Sequence, residues 1–154
     1  MGLDMYLRGD VFKWGKRCKR NGFPIQGYVL DLGYWRKHPN LHGFIVKEFA
    51  GGVDKCQKIP LTAEQLETII LAVKANKLPH TTGFFFGTSD VDDDQRNEDV
   101  KILSGALAWL EGKPNLNPLG EAMELGAGIQ AHVIKTDVMD QLEESREVYY
   151  QASW

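Results

Sequence analysis

Met1, Leu3, Met5 and Leu7 place an apolar side chain at every second position, with Asp4 between them. Alternation of this kind sends one set of side chains to a core and the other to the opposite face, so residues 1–7 predict a half-buried strand. A strand with one committed face needs neighbours in a sheet and a layer to cover it. Three other segments also read as extended. Residues 25–34 are β-branched and aromatic and carry glycine towards both ends. Residues 44–49 follow the Pro39-Asn40 break and precede the Gly51-Gly52 turn. Residues 147–154 end in aromatics. A short buried strand is expected at 84–86, between Gly83 and Gly87. The basic stretch 8–23 is rich in turn pairs (Gly9-Asp10, Gly15-Lys16, Asn21-Gly22) and predicts a loop or a short helix over 12–20.

The clearest helix covers 62–77. Thr62 and Gln65 form a capping box, Leu66, Ile69, Ile70 and Val73 form an apolar stripe, and Pro79 ends the run. An acidic stretch, 90–99, leads into a second helix with Val100, Leu103, Leu107 and Leu110 on one side, carboxylates being favoured at a helix start. A third helix is expected over 137–146, capped by Thr136 or Asp137. Residues 114–128 read as a loop with one helical turn after Asn117-Pro118. The order of elements lacks the regular βαβ rhythm of a doubly wound fold. The expectation is an α+β single domain over 1–154, a mainly antiparallel sheet with two to three packed helices, in which 113–146 is an insert.

The chain has 154 residues, 43% hydrophobic and 25% charged, which excludes a disordered or collagen-like polypeptide. No apolar run approaches a membrane span. Asp4 and Tyr6 fall where a secretory signal would be basic and then apolar. Two cysteines, Cys18 and Cys56, without a close pair, fit free thiols in a cytoplasmic setting. The net charge of -3 hides a basic first part (residues 1–60) and an acidic remainder. That asymmetry suits an anionic ligand, self-pairing or internal ion pairs, while a nucleic-acid binder would be basic overall.

Phosphate-loop, dinucleotide-fold, nucleophile-elbow and HExxH motifs are all absent from the sequence. Asp90, Asp92 and Asp94 match the start of a calcium loop, but Gln95 stands where glycine is needed and Lys101 where a bidentate glutamate is needed. His38 and His42 have the spacing of half a zinc site, and Cys18 and Cys56 could in principle complete it, without a cysteine knuckle to support it. Neither a metal nor a cofactor is expected. What the sequence does offer is aromatic residues beside cationic ones. Tyr34-Trp35-Arg36-Lys37-His38 presents a ring for stacking and a guanidinium for phosphate. Thr81 and Thr82 sit ahead of Gly83-Phe84-Phe85-Phe86-Gly87, and Tyr149-Tyr150-Gln151-Ala152-Ser153-Trp154 ends the sequence.

Together, Met-Gly-Leu-Asp-Met-Tyr-Leu at 1–7, Gly33-Tyr34-Trp35-Arg36-Lys37 with His42, Leu78-Pro79 with Thr82-Gly83-Phe84-Phe85-Phe86-Gly87, and the terminal Tyr149-Tyr150-Gln151-Ala152-Ser153-Trp154 resemble a family of small proteins common in bacteriophages. Its members often carry the label phosphoglycerate kinase. That kinase fold closes two lobes on its substrates, and a chain of this length does not supply both. The resemblance instead implies a phage accessory protein in the cytoplasm of the infected cell. By analogy of context and pocket character, it is similar to phage proteins that sequester nucleotide immune signals, such as ADP-ribose derivatives or cyclic nucleotides.

The expected function is binding without catalysis, in a homo-oligomer, with no membrane or nucleic-acid partner. Trp35 with Tyr34 or Tyr150 would sandwich a base. Arg36, Lys37 and Arg17 would meet phosphates, and His42, Thr81, Thr82 and Asp4 would hydrogen-bond ribose or base. The alternatives are a small phosphodiesterase or hydrolase, with His38, His42 or His80 as acid or base and Asp4 or Asp31 orienting it, and an antagonist of a host protein using the acidic stretch 90–99.

Overall fold

The computed structural model describes residues 2–13, 18–83, 89, 92–112 and 144–154. In chain order its elements are β1 (Asp4–Lys13), β2 (Cys18–Arg20), β3 (Phe23–Ile25), β4 (Gly27–Arg36), α1 (Pro39–Phe49), β5 (Ile59–Leu61), α2 (Ala63–Lys74), α3 (Asp93–Leu110) and β6 (Glu144–Ser153). Four strands form an antiparallel sheet in the order β4-β1-β6-β5, and β2 and β3 form a separate hairpin. The class is α+β, as the sequence predicts.

The opening alternation sets the layering. Leu3, Met5, Leu7 and Val11 are buried, together with Tyr150 and Ala152 of β6 and Ile59 and Leu61 of β5. They join Leu41 and Ile45 of α1, Leu66, Ile69 and Val73 of α2, and Leu103 and Ala106 of α3 in one apolar cluster. The helices therefore cover one face of the sheet. By the same register, Tyr6 lies between Tyr34 and Gln151 on the other face, and Asp4 lies beside Arg36.

Helix α2 begins as its sequence dictates: Thr62 and Gln65 cap each other reciprocally, and the predicted stripe is buried. At α3 the N-cap is Asp92, whose carboxylate accepts the Gln95 N–H at 2.8 Å. Asp92, Asp93 and Asp94 thus belong to a helix start, while Asp90 lies outside the described residues. Glycine lets α3 settle close to the sheet. A Cβ at Gly9 would come within 2.5 Å of the Trp109 ring, and one at Gly33 would meet the Ile102 methyl.

Three expectations about residues 1–49 are corrected. Residues 44–49 are not a strand but the end of α1. Pro39, read as a break, occupies the first helical turn, where its fixed φ and missing N–H do no harm. Leu41, His42, Ile45 and Val46 then form the buried stripe. The second strand runs to Arg36 rather than Tyr34, so the aromatic-basic box lies inside a strand. The loop or helix expected at 12–20 contains the end of β1 and all of β2, whose hairpin turns at Asn21 and Gly22 with φ of 51° and 83°. Both values suit the Asn-Gly pair of a tight primed turn.

Of the helix expected at 137–146, residues 144–146 belong to β6. There Arg146 donates to the Trp109 carbonyl at 2.7 Å, placing a cation at the end of α3. The remainder of that helix, most of the 113–146 insert, the 84–86 strand and Arg17 lie outside the described residues. No helix among the described residues is long and apolar enough to cross a membrane.

Candidate functional site

The chain leaves β4 at Arg36, reverses at Lys37 and enters α1 at Pro39. Lys37 holds a left-handed φ of 54°, and its N–H donates to the Leu3 carbonyl at 2.8 Å. This corner, with α3 packed beside it, brings together most of the chemistry-bearing groups.

Alternation along β4 decides which way the aromatic-basic box points. Trp35 is 4% exposed and belongs to the core, while Tyr34 is 50% exposed on the opposite face. Trp35 Nε1 donates to Asp99 Oδ1 at 2.8 Å. Its ring is therefore a covered wall and not an open stacking surface, which corrects the expected Trp35–Arg36 pair: the two side chains leave the strand on opposite sides. Tyr150 is likewise fully buried and cannot sandwich a base.

Tyr34, Arg36 and Asp4 do meet. The Tyr34 hydroxyl donates to Asp4 Oδ1 at 2.5 Å, and Arg36 Nε lies 4.0 Å from the same oxygen. The hydrogen bond to Asp4, with lesser help from desolvation and the Asp4 charge, raises the Tyr34 pKa above its ordinary value, and Arg36 opposes the shift. Tyr34 walls two hollows. One, of about 210 Å³, is bordered by Arg36, Lys37, His38, Gln95 and Glu98. The other, of about 390 Å³, is bordered by Tyr6, Arg8, Asp31 and Leu32. The Arg8 guanidinium sits 4.5 Å from the Tyr6 ring centre and 3.4 Å from Asp31.

Behind the smaller hollow lies a buried polar chain. His38 Nε2 is 2.7 Å from Asp99 Oδ2, and His38 Nδ1 is 2.8 Å from Ser89 Oγ. Gln95 donates to Asp99 Oδ1 at 2.8 Å. Asp99 thus gathers three donors while almost wholly buried, the arrangement a desolvated carboxylate requires.

One turn along α1, His42 repeats the pattern. Its Nδ1 is 2.6 Å from the Tyr150 hydroxyl and its Nε2 is 2.8 Å from Asp54. Burial, and to a lesser extent Asp54, raise the Tyr150 pKa well above its ordinary value. His42 therefore faces the core and not a ligand, correcting the role expected for it. Thr81 is tied to the start of α1 through its N–H to Asn40 Oδ1 at 2.9 Å, and neither hollow counts Thr81 or Thr82 among its lining residues. His80 and Asp31 are exposed, and Asp31 pairs with Arg8 rather than with a histidine. Among the described residues no group of three or more His, Cys, Asp or Glu could hold a metal ion.

Sequence reasoning missed Ser89, Asp99 and Asp54. Asp99 did leave a signal: it precedes Leu103 by four residues and so places a carboxylate on the apolar stripe of α3. Ser89 and Asp54 left none, because their partners are remote in sequence. No family model, curated protein or solved structure matches the chain.

Proposed function

We propose that this chain binds a small anion carrying a planar ring, of the nucleotide type, across the two hollows that share Tyr34. The observation that carries the reading is the position of Tyr34, a half-exposed ring between a basic rim and a larger aromatic hollow. The ring of the ligand stacks in the larger hollow against Tyr6 and Tyr34, whose own rings stand 5.4 Å apart, with Arg8 at its edge. The phosphate meets Arg36 and Lys37, and Asp4 orients Tyr34 through its hydroxyl. Each hollow alone falls at or below the lower part of the range usual for small-molecule sites, so a ligand engaging both is favoured.

The phage resemblance makes a nucleotide immune signal, an ADP-ribose derivative or a cyclic nucleotide, the expected ligand, sequestered in the host cytoplasm. A homo-oligomer belongs to the same proposal. Tyr28 and Val29 are exposed on β4, an edge strand, and Phe12 is exposed on β1 beside it, an arrangement that suits pairing with a second copy.

Isothermal titration with ADP-ribose derivatives and cyclic nucleotides tests the binding. Micromolar or tighter binding by the native chain, about -8 kcal/mol or better, is expected, weakened at least tenfold by Tyr34→Ala and by Arg36→Ala. Absence of heat with every ligand, from a folded sample, overturns the reading.

A further inference from the structure

We infer that Ser89, His38 and Asp99 form a nucleophilic relay that hydrolyses carboxylic esters of small anionic molecules. The inference goes beyond the binding reading: it places chemistry on side chains that reading does not use, and shares with it the hollow rimmed by Arg36 and Lys37. Three observations combine. His38 Nε2 is held 2.7 Å from the buried Asp99 carboxylate, and His38 Nδ1 is 2.8 Å from Ser89 Oγ. Trp35 and Gln95 both donate to the remaining Asp99 oxygen and fix that carboxylate. Finally, His38 borders the hollow rimmed by Arg36 and Lys37, and Ser89 itself is only half-buried.

Asp99 accepts the Nε2 proton, so a neutral ring keeps its Nδ1 lone pair for the Ser89 hydroxyl. This is the division of labour in a serine–histidine–aspartate relay, with the two ring nitrogens exchanged. Ser89 Oγ also accepts the Asn40 N–H at 3.0 Å, in the first turn of α1. That amide favours the negative charge that gathers on Ser89 Oγ as its proton leaves. Arg36 and Lys37, around the same corner, suit an anionic group elsewhere on the substrate.

The steps balance without an oxidant or reductant. Ser89 Oγ bonds to the ester carbonyl carbon as its proton passes to His38 Nδ1. The bond to the alcohol oxygen then breaks, and the leaving alcohol takes that proton. Water next gives one proton to Nδ1 and its oxygen to the acyl carbon. The Ser89–acyl bond breaks, Ser89 recovers the proton, and ester plus water has become acid plus alcohol.

Ser89 also has a structural role. The N-cap residue of α1, His38, makes no side-chain cap bond, and the Ser89 hydroxyl accepts an amide of that first turn instead. The test must separate the two roles. The full-length chain is treated with a fluorophosphonate probe and the adduct is mapped by peptide mass, and release of p-nitrophenol from p-nitrophenyl acetate is followed in parallel. One adduct is expected, on Ser89, with a burst of one equivalent of product, and both are lost in Ser89→Ala.

Asp99→Asn keeps the shape but offers an amide N–H towards Nε2, which drives the ring proton to Nδ1. Labelling should fall about a thousandfold, and the His38 ring ¹⁵N shifts should exchange roles while circular dichroism is unchanged. A folded native chain that takes no label on Ser89, or an Asp99→Asn variant that labels at the native rate, overturns the relay and leaves Ser89 as a helix cap alone. Nucleotide titration reads the binding proposal separately, so either idea can fail without the other.

Discussion

Tyr150 is the largest of the fully buried side chains, and its hydroxyl lies 2.6 Å from Nδ1 of the buried His42 ring. Burial raises its pKa well above the ordinary tyrosine value, which is about 10 in an unfolded chain. The protonated phenol is therefore the form the fold prefers. Its contribution to stability is complete below the unfolded value and is lost as pH climbs from there towards the folded one. Thermal unfolding followed from pH 8 to 11 should show a melting temperature that falls beyond about pH 10, with one tyrosine ionising only as the fold is lost. An absorbance titration in which all tyrosines ionise together in the native state would contradict this. At this scale the sequence was only half legible. Tyr34, Arg36 and Asp4 were singled out and do meet. Trp35 and Tyr150, judged by ring chemistry alone, are buried because strand alternation points them inward.

Among the elements, α2 was readable to its cap because every signal in it is local. The first helix was not. Its short apolar run of Phe44, Ile45 and Val46 reads equally well as strand, and only Pro39, understood as a start rather than a stop, tips the balance. The contact between α3 and β4 gives a direct test of how tightly the layers are fitted. Gly33→Ala inserts a methyl group where the Ile102 side chain already lies. A loss of about 1–3 kcal/mol in urea unfolding is expected, and Ile102→Ala in the same chain should cancel part of it. If the double variant is less stable than the sum of the two single changes, the two residues do not compete for the same space.

At the scale of the molecule, strand order matters most. β6 lies between β1 and β5, with Asp4 opposite Ser153. Deleting residues 144–154 should abolish the cooperative melting transition, because it removes an interior strand of the sheet and its Val148, Tyr150 and Ala152 side chains from the core. A truncated chain that still melts sharply would show that the helices and the β1–β4 pair suffice alone. This architecture was visible only in outline. The alternation at 1–7 and the aromatics at 147–154 each announced a strand, but nothing local to either says that they are neighbours.

That adjacency also sets a vulnerability. With β6 displaced, β1 keeps its oily side against helices α1 to α3 but has one flank unzipped. The gap left behind fits the same strand of a second copy, the geometry of a domain-swapped pair.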